Sequence, residues 1–567
     1  MHSDHPSPPR TGEKVPQADE GVLSATGTAP HPPSAPSPRG AGRGQCVVLV
    51  TDTLAESGLD ILRAASDVDL DYRPGLKGDD LLKAVAESDA LITRSGTAVT
   101  EELVNAGSRL RVIGRAGVGL DNVDVDACTA RGILVINAPT ANIMSATEHT
   151  MAMLLAVCRN IPEAHASVKR GEWTRAKFMG TELEKKTLGI IGFGRIGTRL
   201  ARRARGFDMH VIAFDPYIAD SVFQQHSVER VTLDELLARA DVVTVHTPLT
   251  DETRGMLGAN EIAKMKPGAI ALNIARGGIY EEQALADALN SGRIAAAAVD
   301  VYVDEPPGKD HPLLNAKNII LSPHIGANTI EAQDRVAVET SRMVVEALRG
   351  SIFVSAVNLP FEGDPDAAPL ISLADRLGAF AAQIINGPVN RAQIELFGVP
   401  DRLQKILSIA ALRGLLASHV ANVNFVNAEQ IAQQRGISIG TSSDPNPRDY
   451  ANLITFRASS QRDEVCVSGT LFSERSQRVV SVNNFRVEFK PEGHLLYIIN
   501  KDVPGVVGRV GTILGEFLIN IAEYNLARTT SGGKAMGIVT IDSALSADAV
   551  AALRLNPAIE EVKLVHL

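Results

Sequence analysis

Three short stretches carry side chains suited to taking a proton and a hydride from an alcohol. They are Asn273-Ile-Ala-Arg276-Gly-Gly, Asp300-Val-Tyr-Val-Asp-Glu305-Pro-Pro and Ser322-Pro-His324-Ile-Gly-Ala. Removing hydride from a carbinol carbon requires removing the hydroxyl proton, and histidine is the usual base near neutral pH. A neighbouring carboxylate, here Glu305, can orient the imidazole and stabilise its cation. Arg276 can grip a substrate carboxylate through two parallel hydrogen bonds. Singly, each has a plainer reading: His324 as a capped loop residue among 13 histidines, Glu305 as a solvated acid, Arg276 as a surface ion pair. Their placement unites them. Each follows a run that reads as a β-strand, and in an open α/β sheet ligands gather beyond the carboxyl ends of the strands.

A cofactor motif precedes them. Gly192-Phe-Gly194-Arg195-Ile196-Gly197 follows the strand-like Leu188–Ile191 and opens a helix read over Thr198–Arg205. The first glycine permits the tight turn, the second lets backbone approach a pyrophosphate, and the third packs helix on strand. The helix N-terminus offers free N–H groups and partial positive charge. Asp215 ends the next strand, Val211–Phe214, where an acid accepts both ribose hydroxyls and repels a 2′-phosphate. No arginine follows at once, so the pattern favours NAD over NADP. The plainer role for Asp215 is a turn former or helix cap.

These loops need a scaffold, and the pattern supplies one. Cys46-Val-Val-Leu-Val starts a βαβα alternation that predicts two doubly wound parallel-sheet domains, 46–143 plus 329–360 and 144–328. Residues 361–420 read as helical and 420–490 as mixed strands and turns, together an α+β domain over 361–490. The stretch 491–567 reads βαββαβ, the order of a ferredoxin-like module. Residues 1–45 hold nine prolines, six glycines and few large apolar side chains, so a disordered tail is expected there.

The chain has 567 residues, ordinary hydrophobic and charged fractions, and a formal net charge of −10. That balance argues against nucleic acid as a partner. The longest apolar run, Met151–Cys158, is far short of a membrane span, and no secretory signal opens the chain, so a cytoplasmic protein is expected. Four cysteines without a C-x-x-C pair imply no zinc or other metal site and a reducing compartment.

Longer motifs carry a family resemblance. Gly114-Arg-Ala-Gly-Val-Gly-Leu-Asp-Asn-Val-Asp124, Leu188–Gly197, Asn273–Gly278 and Ser322–Ala327 together resemble the D-isomer-specific 2-hydroxyacid dehydrogenases, in their long form with C-terminal regulatory domains. The resemblance spans residues 46–567. It implies a flavodoxin-like substrate domain, a Rossmann NAD domain, an intervening regulatory domain and a terminal ACT domain. It implies NAD-linked oxidation of 3-phospho-D-glycerate to 3-phosphohydroxypyruvate, which opens serine biosynthesis. By similarity, His324 is the proton acceptor, Glu305 its partner and Arg276 the carboxylate anchor. Asp300 would face the nicotinamide carboxamide, Arg195 and Ile196 would give backbone contacts to the pyrophosphate, and His246-Thr247-Pro248 would line the nicotinamide side.

Arg94 and Arg115 look like the family's substrate-side arginines. Arg175 and Lys177 resemble the loop that reaches the site of a neighbouring subunit, within a dimer or tetramer. Asp502 and Asn520 match the pattern that holds an amino-acid effector, with L-serine implied, although Asn500 departs from the histidine or tyrosine found nearby in some members. Other hydroxyacid reductases, for hydroxypyruvate or glyoxylate, share the catalytic trio, and corepressor scaffolds share the fold. The extra domains and the several cations favour the phosphorylated substrate.

Overall fold

The computed structural model describes residues 45–351, 356–361, 364–473 and 475–567. Apart from its last residue, the proline-rich segment expected to be disordered lies outside the described residues.

The first sheet is parallel, in the order Val68–Tyr72, Cys46–Val50, Ala90–Thr93, Val112–Arg115, Leu134–Asn137. This is the flavodoxin-like 2-1-3-4-5 order. Its strands are short apolar runs because both faces are covered; all four residues of Ala90–Thr93 are buried. The long helix Ile330–Leu348 covers one face beside Glu56–Ala64, burying Val336, Ala337 and Val344. Two glycines let it lie close. A Cβ on Gly114 would stand 2.7 Å from Val344 Cγ2, and one on Gly58 would stand 2.7 Å from Ala337 Cβ.

The second sheet has seven parallel strands. Their order is Ile319–Leu321, Ala296–Val299, Ile270–Asn273, Val242–Val245, Thr187–Ile191, His210–Phe214, Glu229–Arg230. Chain order reverses at Thr187–Ile191, which creates a crevice beyond its carboxyl end, the place where such sheets bind dinucleotides. The helix after it runs Arg195–Arg205, three residues earlier than the sequence suggests, because Gly194 stands at its N-cap. The apolar helix read over 144–160 is Ile143–Cys158, and Asn160, at φ 52°, turns the chain into a second helix, Ile161–Lys169.

The third sheet is mixed: Ser438–Asp444, Val389–Phe397, Leu453–Ser460, Glu464–Leu471, Gln477–Val482, Phe485–Phe489. The helices Ala368–Ile384 and Gln404–Ala417 pack together so closely that a Cβ on Gly378 would stand 2.0 Å from the Ala411 carbonyl oxygen. The strand Val389–Phe397 corrects the helical reading of 361–420. Ala392, Ile394 and Leu396 are buried at period two, yet the stretch is rich in Ala, Gln, Glu and Leu, whose helix propensity hides that alternation.

The last sheet is antiparallel, Ile521–Arg528, Lys534–Ile541, His494–Lys501, Ile559–His566, with helices Val506–Glu516 and Ala547–Arg554. It is the βαββαβ unit the sequence predicts, with ends within about two residues. No helix among the described residues is long and apolar enough to cross a membrane.

Candidate active site

The His324 and Glu305 side chains meet beyond the carboxyl ends of neighbouring strands. His324 Nδ1 lies 2.7 Å from Glu305 Oε2 and 2.9 Å from Oε1. An ionised carboxylate can only accept, so Nδ1 carries the proton and Nε2 presents its lone pair outward. Glu305 Oε1 also accepts from the Tyr302 amide at 3.1 Å, which fixes the carboxylate. The two side chains are 43% and 37% exposed, so the pair is open to a substrate.

Asp300 holds the backbone that carries His324. Its side chain is fully buried. Oδ1 accepts from Ser322 Oγ at 2.6 Å and from the Ile325 amide at 2.9 Å; Oδ2 accepts from the Gly326 amide at 2.8 Å. His149 Nε2 stands 3.4 Å from Oδ1. Burial alone would push this carboxyl up, but the bonds from His149, Ser322 and the two amides outweigh it and hold it below the usual carboxylate range. These contacts fix a loop whose His324 has φ 51°, a left-handed conformation that costs a non-glycine residue free energy.

The remaining loops lock together. A Cβ on Gly277 would stand 2.0 Å from the Tyr302 carbonyl, so only glycine lets the Arg276 loop lie against the Glu305 loop. Tyr302 Oη in turn donates to the Ser322 carbonyl at 3.0 Å.

Three arginines from two sheets, Arg94, Arg115 and Arg276, lie near enough to feel one another's charge. Burial lowers the pKa of the Arg115 guanidinium from its ordinary value, and the neighbouring charges of Arg94 and Arg276 lower it further. Its Nε is buried without a partner among the described residues. Arg276 donates to the Ala275 carbonyl at 2.7 Å and faces Asp121 Oδ2 at 3.7 Å. Like charges gathered in a half-buried site can attract an anion, with Asp121 and Asp52 offsetting part of their field.

Positioning residues that the sequence reading missed hold this cluster. Asp52 Oδ2 accepts from the Arg94 amide at 2.6 Å and from Thr93 Oγ1 at 2.9 Å. Asn122 Nδ2 donates to the carbonyls of Arg94 and Thr97, both at 2.6 Å. Asp52 and His149 act across long sequence separations outside any motif, whereas Asn122 and Ser322 lie within the Gly114–Asp124 and Ser322–Ala327 motifs.

The glycine-rich turn is shaped for a dinucleotide. Gly192 has φ 93°, and a Cβ there would stand 2.7 Å from the His246 carbonyl. A Cβ on Gly197 would stand 2.3 Å from the Gly192 oxygen. A Cβ on Gly194 would meet nothing within 4 Å, so the chain leaves open space where a pyrophosphate must approach. The first-turn amides, Arg195 and Ile196 among them, have no acceptor within the helix. Asp215 accepts from the Phe193 and Tyr217 amides, each at 2.9 Å, which orients its carboxylate beside the turn.

His246 Nε2 lies 3.0 Å from Thr244 Oγ1, and burial pushes the imidazole down to about 4, so it is neutral at neutral pH. The residue keeps some exposure, but its Nδ1 and the neighbouring Thr247 Oγ1 are buried without partners among the described residues. Buried polar atoms are ordinarily satisfied, so this pair fits a site built for a polar cofactor. Pro248, next in line, is exposed.

Two groups stand apart. Arg175 and Lys177 lie on the exposed 3-10 turn Arg175–Phe178, with no hydrogen bond or ion pair to the arginine cluster among the described residues. In the last sheet, Asp502 Oδ2 accepts from Arg528 at 3.3 Å and from the Gly532 amide at 3.1 Å, and Asn520 Nδ2 donates to Asp542 Oδ2 at 2.7 Å.

Known proteins resemble this chain in sequence and in fold. Residues 151–326 match the family model "D-isomer specific 2-hydroxyacid dehydrogenase, NAD binding domain", and 367–483 match "D-3-phosphoglycerate dehydrogenase intervening domain". The chain is 40% identical to the D-3-phosphoglycerate dehydrogenases of Methanocaldococcus jannaschii and Bacillus subtilis, in each case over 92% of this chain and 99% of the relative. It is 38% identical to D-3-phosphoglycerate dehydrogenase 2, chloroplastic, of Arabidopsis thaliana, over 94% of this chain and 88% of that one. A crystal structure of a Thermus thermophilus protein superposes with TM-score 0.51 at 34% identity, covering 55% of this chain and 99% of that one. A glyoxylate reductase from Paecilomyes thermophila gives TM-score 0.51 at 30% identity, covering 55% and 98%.

Proposed function

The chain belongs to the D-3-phosphoglycerate dehydrogenases, long-form members of the D-isomer-specific 2-hydroxyacid dehydrogenase family, and from that membership we propose that it oxidises 3-phospho-D-glycerate at C2 to 3-phosphohydroxypyruvate. The reaction would open the phosphorylated route to L-serine, in the cytoplasm. The observation that carries the choice of substrate is the grouping of Arg94, Arg115 and Arg276, the last on a loop that packs through Gly277 against the loop of Glu305. One guanidinium suffices for a carboxylate. A second anionic group on the substrate accounts for the others.

Arg276 grips the C1 carboxylate and polarises the reacting oxygen, while Arg94 and Arg115 take the phosphate. His324 Nε2 accepts the C2 hydroxyl proton, and Glu305 stabilises the imidazolium that results. Asp300 keeps the His324 loop in its left-handed turn and, through it, shapes the nicotinamide side. When bound, NAD supplies the hydride acceptor. The chain holds it through Gly192, Gly194 and Gly197, the amides of Arg195 and Ile196, the Asp215 carboxylate, and His246-Thr247-Pro248. Trp173 and Met179, 76% and 84% exposed on either side of Arg175 and Lys177, support a homo-oligomer, dimer or tetramer, in which those two cations reach a second copy's site. The terminal βαββαβ unit fits an ACT module in which Asp502 takes the ammonium and Asn520 the polar groups of L-serine, a feedback inhibitor.

The test is NADH formation from NAD with 3-phospho-D-glycerate or with unphosphorylated D-glycerate, the keto product being trapped, with and without L-serine. The phosphorylated acid should be turned over far faster, and serine should slow it. Equal rates for the two acids would overturn the phosphate assignment. A flat response up to millimolar serine would overturn the effector assignment.

A further inference from the structure

Two surface side chains that the hydride chemistry does not use meet over the dinucleotide crevice. In the second sheet Ile191 pairs with Phe214 on one side and with Val245 on the other. Gly192 follows Ile191. The chain leaving Phe214 and the chain leaving Val245 therefore flank the glycine-rich turn, two strand spacings or roughly 10 Å apart. The Tyr217 hydroxyl, on the chain leaving Phe214, donates to Glu252 Oε2, on the chain leaving Val245, and so links the two segments.

Both arms of this bridge are anchored. The Tyr217 amide donates to Asp215 Oδ1 at 2.9 Å, and Arg230 Nη2 donates to the Asp215 carbonyl at 3.1 Å. On the other arm, Thr253 Oγ1 donates to the Pro248 carbonyl at 2.7 Å, and the Arg254 amide donates to the Thr250 carbonyl at 2.9 Å, closing the turn that carries Glu252. Tyr217 is 77% exposed, and among the described residues Glu252 is the hydrogen-bond partner of its hydroxyl.

We propose that the Tyr217–Glu252 bridge is a latch across the adenosine end of the NAD crevice and sets how fast the dinucleotide enters and leaves. The inference rests on the NAD site described above. Asp215, which takes the adenosine ribose, lies two residues before Tyr217, so the adenosine passes between the two arms. A bridge that parts at each passage and re-forms behind it slows entry and release alike, whereas a residue that only packs against the base changes affinity. The hydrogen bond and charge of Glu252 also hold the Tyr217 hydroxyl above its ordinary pKa.

Stopped-flow NADH fluorescence on the full chain tests this with Tyr217→Phe, Glu252→Ala and the double variant. Each single variant should speed both association and dissociation by about threefold to tenfold, as the loss of one hydrogen bond predicts, leaving Kd nearly unchanged. The double variant should add nothing, and Glu252→Gln, whose amide oxygen still accepts, should restore part of the slowness. Unchanged rates would overturn the proposal, as would a rise in Kd with association unaltered. The unmodified protein's own NADH binding, recorded alongside, tests the cofactor site separately.

Discussion

A histidine acts as a base through one ring nitrogen, and Glu305 decides which. With Nδ1–H donated to the carboxylate, Nε2 is free to take a proton. Glu305→Gln keeps an acceptor oxygen but removes the charge that stabilises the imidazolium. It should lower kcat by roughly 100- to 10,000-fold, with NADH binding unchanged. Steady-state turnover beside an NADH titration checks it; a loss confined to NADH affinity would mean that Glu305 serves the cofactor instead. Strand ends point His324, Glu305 and Arg276 toward one crevice, but it is the longer family motifs that single them out among the chain's other histidines and acids. Two of the groups that hold the site were not legible in the sequence. Asp52 reaches Arg94 across 42 residues, and His149 reaches Ser322 across 173. Such contacts exist only after the sheets have formed, so no local pattern announces them.

At the level of elements, the glycine-rich turn separates folding from binding. Gly194 stands at the helix N-cap with a negative φ, and a Cβ there meets no atom of the chain within 4 Å. Gly194→Ala should therefore leave stability within about 1 kcal/mol while sharply weakening NADH binding, because the methyl group enters the space the pyrophosphate needs. Gly197→Ala makes the contrast. Its Cβ would stand 2.3 Å from the Gly192 oxygen, so stability and binding should fall together. Thermal unfolding and NADH titration of both variants separate the cases; a destabilised Gly194→Ala protein would show that the turn is packed by the chain rather than left open. This element was readable because its spacing encodes a backbone shape. The strand Val389–Phe397 was not, since its alternation is written in helix-forming residues and only its place between Ser438–Asp444 and Leu453–Ser460 decides its conformation.

Across the whole molecule, the third sheet's domain reaches the first sheet at the turn before Leu134–Asn137. Asn358, on the segment leaving the long helix, accepts from the Val135 amide at 2.9 Å. Its Nδ2 donates to the Ile133 carbonyl at 2.8 Å and to Thr129 Oγ1 at 3.1 Å. Asn424, from the third sheet's domain, donates to the Gly132 carbonyl at 2.6 Å. Two asparagines from different segments thus clamp residues 129–133, which lead straight into Leu134–Asn137. At the far end of that strand Asn137 Nδ2 donates to the Val118 carbonyl at 2.7 Å, steadying the stretch that begins at Arg115. A disturbance at the clamp is therefore one short strand away from the stretch that begins at Arg115, one of the arginines proposed to bind the substrate. Asn358→Ala leaves a half-buried donor and acceptors without their partner, a loss of about 2 kcal/mol. Amides of Leu134–Asn137 should exchange faster with solvent, and KM for the hydroxyacid should rise while Kd for NADH holds. If exchange quickens and KM does not move, the clamp only steadies the first sheet; if both move, the strand it holds also sets the geometry of the hydroxyacid site.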